Sequence, residues 1–358
     1  MGKECINTLM KRLSALLFVL GAALNTAAAT CPFNIPVVTL PPQQVAGFSW
    51  GNPIQPMGDP CVDKIEVENG NQQAWYVGGF NGVYVTKNNG GTWIKPLSGK
   101  VGALLWEPVH QFAYAGIGKI LYFSRDHGLH WVPVQTFTKP ISSLLAFSAQ
   151  NTLYIGLAWD NHVDPSGIFT TNLGGGGPMF HAFGGGHTGL IVWTISRDPM
   201  SGSLYAGTEI FDHQPQPYKP PFFRGTANAI NWTNVANNLP WHAVDSDVRP
   251  NGYVYALTEG KGLWGSSTMG NAWIAPNPAT PSLGASLLMD PIVTTRLYAG
   301  RQNAGTQTGG IWRSTNAGNT FSLVGLKGVT VGDIALNGNA SIIYAAAYAS
   351  GIYTSPVP

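Results

Sequence analysis

Apolar and polar residues alternate along this chain in short runs, and one run recurs. A tyrosine flanked by apolar residues appears at Tyr76, Tyr114, Tyr154, Tyr205, Tyr255, Tyr298 and Tyr344. Subtracting successive positions gives spacings of 38, 40, 51, 50, 43 and 46 residues. The order around each tyrosine is constant. An apolar strand comes first, as in Gly102-Ala103-Leu104-Leu105-Trp106 or Ala285-Ser286-Leu287-Leu288-Met289. A turn follows, often acidic-Pro (Glu107-Pro108, Asp198-Pro199, Asp290-Pro291). Then come the Tyr strand and a third strand such as Gly82-Val83-Tyr84-Val85 or Gly310-Ile311-Trp312-Arg313. The period-2 pattern and the dense Gly and Pro predict short strands joined by tight turns. No stretch after the leader shows a credible helical period.

A second repeat closes each unit. Ser124 to Trp131 reads SRDHGLHW, Thr86 to Trp93 TKNNGGTW, Ser314 to Phe321 STNAGNTF and Ser266 to Trp273 SSTMGNAW. The third position (Asn88, Asp126, Thr268 or Asn316) carries an oxygen able to accept N–H groups of its own turn. The glycine at the fifth suits φ > 0. The ring at the eighth (Trp93, Trp131, Trp273 or Phe321) anchors the next strand. Worn copies follow Thr170 and precede Trp232. The seven tyrosine units at spacings of ~40–50 residues, with several such octets among them, predict an all-β, single seven-bladed β-propeller of four-stranded blades over residues 61–358. The seventh unit ends after a third strand, Gly351-Ile352-Tyr353-Thr354-Ser355. The Pro-rich arm, residues 30–60, is the expected donor of the closing strand, around Val37 to Leu40 or Val45 to Trp50.

Composition adds a compartment. Lys11-Arg12, the apolar stretch Leu13 to Leu24 and Ala27-Ala28-Ala29 read as a secretory signal over residues 1–29, with Met10 an equally good start. Its apolar run is shorter than the ~20 residues a membrane span needs, so no transmembrane anchor is expected. Without that segment, 19 − 3 = 16 basic and 17 − 1 = 16 acidic residues remain. A neutral chain argues against nucleic acid as the main partner. Two cysteines, Cys31 and Cys61, are left, and an oxidising compartment suggests one disulfide, with two unpaired thiols the alternative. A monomer, secreted or periplasmic, is expected.

The octets and the tyrosine strands together resemble the Asp-box (BNR-repeat) β-propellers, which include sialidases, xyloglucanase-type glycoside hydrolases, the sortilin ectodomain and a photosystem II assembly factor. The resemblance spans about residues 61 to 355. It implies a fold in which the octets brace the scaffold, away from the face that binds ligands, so Asp126 reads as a fold residue.

Catalytic sets are sparse. A sialidase-like site requires an arginine triad around a carboxylate. Arg125 and Arg313 sit at octets, Arg197, Arg249 and Arg296 toward the same end; Arg301, following a Tyr strand, is the best placed, and the position of Arg224 is left open. A xyloglucanase-type cleft lies between two propellers, and the chain has repeats for one. Asp63, Asp245 and Asp333, near the starts of innermost strands, are the catalytic candidates for a carboxylate pair at the channel mouth. The competing reading is that they bond neighbouring backbone. Loops on that face carry the ligand-binding candidates Trp159, Asp160, His162, Glu209, Asp212, His213, Tyr218, Trp241, His242 and Arg301, a mixture suited to sugars or peptides. No metal site and no cofactor are expected, since Asp160, His162 and Asp164 lack a fixed geometry. The reading is a binding or scaffolding module for a glycan or protein; a glycoside hydrolase is the alternative.

Overall fold

The computed structural model describes residues 31–32, 37–158, 167–183, 188–210, 221–250, 252–275, 284–303 and 308–358. The leader segment and Trp159, Asp160, His162, Asp164, His187, Asp212, His213 and Tyr218 lie outside them.

A hairpin, β1 (Gln43–Val45) and β2 (Phe48–Trp50), precedes the ring. Blade 1 comprises β3 (Val62–Val67), β4 (Trp75–Gly79), β5 (Gly82–Thr86) and β6 (Ile94–Ser98). Blade 2 follows with β7 (Val101–Glu107), β8 (Phe112–Ile117), β9 (Ile120–Ser124) and β10 (Val132–Thr136). Blade 3 holds β11 (Ile141–Phe147), β12 (Thr152–Leu157), β13 (Gly167–Asn172) and β14 (Met179–Ala182). Blade 4 holds β15 (Leu190–Arg197), β16 (Leu204–Ile210), β17 (Phe222–Gly225) and β18 (Trp232–Asn234). Blade 5 has β19 (Ala243–Val248), β20 (Val254–Thr258) and β21 (Gly262–Ser266), with Ile274 pairing Gly265 in the fourth position. Blade 6 is β22 (Gly284–Met289), β23 (Leu297–Arg301), β24 (Gly310–Ser314) and β25 (Ser322–Gly325). Blade 7 is β26 (Val331–Leu336), β27 (Ile342–Ala347) and β28 (Gly351–Pro356). The first strand of each blade packs on those of both neighbours, and β26 packs on β3, so the ring closes.

The arm supplies the missing strand of blade 7, but not from the segments the sequence suggests. The pairing residue is Ile54, which exchanges backbone hydrogen bonds with Ile352 (2.7 and 2.8 Å). Val45 to Trp50 instead turns back on itself through Ala46 and Gly47 (φ 50° and 88°) as the β1–β2 hairpin. That hairpin drives Phe48 and Trp50 into the core between blades 6 and 7. The indole N–H of Trp50 donates to the Val324 carbonyl at 2.7 Å. A β-carbon at Gly325 would fall 2.0 Å from the same indole, so the plug requires glycine there. Upstream, Val38 N–H donates to the Ala349 carbonyl (2.9 Å). Cys31 and Cys61 form a disulfide with Cα atoms 5.1 Å apart.

The octets fold as braced turns. In Ser124–Trp131, Asp126 Oδ1 accepts the Ser124 hydroxyl (2.8 Å) and His130 N–H (2.9 Å), while Gly128 N–H donates to Ser124 Oγ (2.9 Å). Asn316 and Asn88 accept equivalent N–H groups from Thr320 (2.9 Å) and Thr92 (2.8 Å). In the Ser266 copy Thr268 Oγ1 takes the acceptor's place for Ala272 N–H (2.8 Å). The indoles of Trp93 and Trp131 donate back to Gly90 and Gly128 carbonyls, whereas Trp273 reaches Val235 in blade 4.

The recurring tyrosines explain why these turns matter beyond their own blade. All seven are no more than 2% exposed. Tyr114 OH accepts Gly174 N–H (3.3 Å) in blade 3, Tyr154 OH donates to Ala227 O (2.8 Å) in blade 4, and Tyr255 OH to Ala317 O (3.0 Å) in blade 6. Tyr344 OH donates to Gln72 O (3.3 Å), linking the last blade to the first. Tyr76 lies so close to the next blade's octet that a β-carbon on Gly128 would meet its ring at 2.5 Å. Tyr76, Tyr114, Tyr154, Tyr255 and Tyr344 are thus pegs from one blade into a turn of the next. Only Tyr298 meets the hairpin plug instead, with its ring edge-on to Phe48 at 6.4 Å.

Candidate functional site

The inner strands surround a polar channel of about 250 Å³ to which all seven contribute. Lys64, Glu66, Ser142, Ser143, Asp245 and Asp333 face it, with Trp193 the one large aromatic among the described residues. Backbone ladders run within blades, so inner strands are joined to one another by side chains. Asp333 Oδ2 accepts Ile65 N–H of blade 1 (3.1 Å). Asp245 accepts Leu287 N–H of blade 6 (2.7 Å) and the Thr194 hydroxyl of blade 4 (3.1 Å). Asp247 takes Met289 N–H (3.0 Å), and the Ser142 hydroxyl donates to the Val192 carbonyl (2.7 Å). Asp245 and Asp333 therefore serve as straps between blades. Asp63 lies beside Gly332 on the neighbouring inner strand.

Burial governs the channel's electrostatics. It pushes the Asp245 carboxyl up to about 7, against the pull of the Leu287 and Ser246 N–H groups, with Asp333 and Asp247 adding to the rise. Asp247 is pushed up to about 6 for the same reason. Burial also raises Asp333, Asp63 and Glu66; Lys64 opposes it at the first two, while Asp333 adds to it at Glu66. Lys64 is held above its ordinary value: burial works against its charge, but Asp63, Asp333 and Asp245 outweigh that.

At the loop-side mouth, between blades 4 and 5, three residues from separate strand ends converge. Glu209 is the penultimate residue of β16, His242 immediately precedes β19, and Glu259 immediately follows β20. His242 is 4% exposed and its Nε2 is paired with Glu259 Oε2, with Glu209 Oε2 at 3.8 Å. The Trp193 indole N–H donates to Glu209 Oε2 at 2.8 Å, and Glu259 N–H to the His242 carbonyl at 3.1 Å. The Trp241 ring stands 5.7 Å from that of His242. Donor atoms of the three residues lie within 4.8 Å of one another, a set able to hold a metal. Glu209, His242 and Trp241 were legible as candidates; Glu259 was not, because Glu259-Gly260-Lys261-Gly262 looks like any hairpin turn.

The remaining candidates are dispersed. Arg301 is buried, its guanidinium 5.4 Å from the Trp312 ring centre. Arg197 lies over Phe147, Arg249 over Tyr255 and Arg313 over Phe48, while Arg296 pairs with Asp290 (3.2 Å). His181 is within β14, bonded to Thr170 Oγ1 (2.8 Å). On the opposite face a cavity of about 400 Å³ lies between blades 1 and 2, bordered by Asp126 and His127 of an octet. At its wall the buried Glu68 carboxylate takes Lys87 Nζ (2.9 Å) and His127 Nδ1 (3.0 Å).

No family model matches the sequence, and no curated protein does. Among solved structures the chain is similar to YCF48 bound to a D1 peptide, with a TM-score of 0.59 and 12% identity over 90% of this chain and 98% of that one. YCF48 from Cyanidioschyzon merolae gives 0.58 and 15% over 83% of this chain and 95% of that one. The extracellular domain of BT4673 from B. thetaiotaomicron gives 0.63 and 13% over 87% of this chain and 40% of that one. At these identities the likeness is one of fold: this chain is an Asp-box-type seven-bladed propeller.

Proposed function

We propose that the protein is an exported module that binds an extended protein segment on its loop face, at the channel mouth. One observation carries the reading: an acidic channel whose Asp245 and Asp333 already strap neighbouring blades, beside a mouth carrying Trp193 and Trp241. Carboxylates fixed in this way are held in place rather than free as an acid and a base; a cationic group arriving at the mouth would favour their ionised forms against the burial that raises them, and indole faces give apolar purchase. A segment pairing a cationic side chain with an apolar or aromatic neighbour is the complementary ligand. The similar fold of YCF48 bound to a D1 peptide supports peptide over glycan. The Cys31–Cys61 disulfide fits an oxidising compartment. The test is a binding screen of the purified protein against arrayed cationic-aromatic peptides and a glycan array. Peptide hits weakened at least tenfold by Trp241→Ala are expected; glycan hits alone would overturn the reading.

A second reading, a glycoside hydrolase, draws on Asp245, whose carboxyl at about 7 has the proton affinity of a general acid. It requires turnover of reporter glycosides that Asp245→Asn and Asp333→Asn both abolish.

A further inference from the structure

We infer that Glu209, His242 and Glu259 form a binding site for one divalent transition-metal ion at the loop-side mouth between blades 4 and 5. The inference goes beyond the peptide-binding reading and stands whether or not a peptide binds there.

The donors are one imidazole nitrogen and two carboxylates, from three strand ends that the ring holds together. His242 Nε2 is the shared point, directed at both Glu259 Oε2 and Glu209 Oε2 (3.8 Å). An imidazole nitrogen and two carboxylate oxygens converging on one point make the mixed nitrogen and oxygen donor set that divalent transition metals take. Donors bound ~2.0–2.2 Å from one ion stand roughly 3.3–3.6 Å apart, and here none is more than 4.8 Å from another. Closing that difference takes rotamer adjustment of two glutamates, which are 26% and 18% exposed and have room to move.

The surroundings suit the role. Trp193 Nε1–H fixes Glu209 at 2.8 Å, and Glu259 N–H on the His242 carbonyl ties the two blade 5 ligands together. Such outer hydrogen bonds orient the ligands of known metal sites. The imidazole selects zinc-like or manganese-like ions over calcium or magnesium, which prefer oxygen. Three protein ligands leave a coordination position for water or a ligand group.

The experiment uses the purified full chain, stripped with EDTA and titrated calorimetrically with Zn²⁺, Mn²⁺ and Ca²⁺. One equivalent of Zn²⁺ is expected, bound at least tenfold more tightly than Ca²⁺, with a rise in melting temperature. Glu259→Gln should weaken it at least tenfold, and the Glu209→Gln/Glu259→Gln double variant should abolish both the binding and the thermal shift. Circular dichroism of the double variant checks that its ring is intact. Absence of stoichiometric uptake by the wild type overturns the inference. So does uptake that survives in the double variant, which places the ion elsewhere, or Ca²⁺ binding as tight as Zn²⁺. Peptide binding measured with and without EDTA separates this site from the peptide reading.

Discussion

Removing the Cys31–Cys61 bond by the double substitution Cys31→Ser/Cys61→Ser tests how the ring is held shut. The two residues are 30 positions apart. A cross-link closing a loop of that size removes about 12 cal/mol/K from the unfolded chain, or about 3.6 kcal/mol at 25 °C. For a chain of this length that corresponds to about 5 °C in melting temperature. The effect should be local as well as global, because the loop contains the β1–β2 hairpin and Ile54. Guanidinium unfolding followed by tryptophan fluorescence measures the stability change. Hydrogen exchange locates it: the Ile54 and Ile352 amides, which bond each other's carbonyls at 2.7 and 2.8 Å, should exchange faster, while blade 3 amides keep their rates. A shift below about 1 kcal/mol with unchanged exchange at Ile54 would refute the claim that the bond secures the closing strand.

Three further outcomes are expected. Asp245 and Asp247 titrate at about 7 and about 6 in the folded protein against 3.8 unfolded, so the folded state binds more protons across that window. Their contribution is therefore complete below pH ~4 and lost as pH rises through ~6–7. The denaturation midpoint of Asp245→Asn should fall less between pH 5 and 8 than that of the wild type, and an equal fall contradicts the argument. Gly128→Ala places a β-carbon 2.5 Å from the Tyr76 ring at φ 79°, and should cost ~1–3 kcal/mol in urea unfolding; a loss under ~0.5 kcal/mol would show that the peg has slack. Trp50→Ala empties the plug between blades 6 and 7 and should cost ~3–5 kcal/mol by the same assay, with fraying confined to blade 7 amides in hydrogen exchange.

What the sequence revealed and what it hid divide along the range of the interactions. The octets were legible because Asp126, Asn88 and Asn316 bond within four residues of themselves. The tyrosine spacing gave the blade count, but the pegging role of Tyr154 or Tyr255 spans 73 or 62 positions and leaves no local trace. The closing strand was misplaced for an instructive reason. Phe48-Ser49-Trp50 alternates as a strand does, and it is one, yet its rings fill a core cleft, and the pairing falls to Gly51-Asn52-Pro53-Ile54, which carries no strand signal. The Glu209, His242 and Glu259 cluster is assembled by the ring from two blades, so no spacing pattern announces it.

The latch between Ile54 and Ile352 also dictates a timetable. Vectorial synthesis delivers residue 54 long before residue 352, so the earliest segment must wait, with Phe48 and Trp50 bare, while six sheets stack in front of it. Until the final residues emerge, the nascent protein is an open crescent with two unsatisfied flanks. A ribosome stalled short of Gly351 therefore leaves a product with most of its sheets formed and no means of shutting, which quality-control proteases would meet as an exposed, sticky edge.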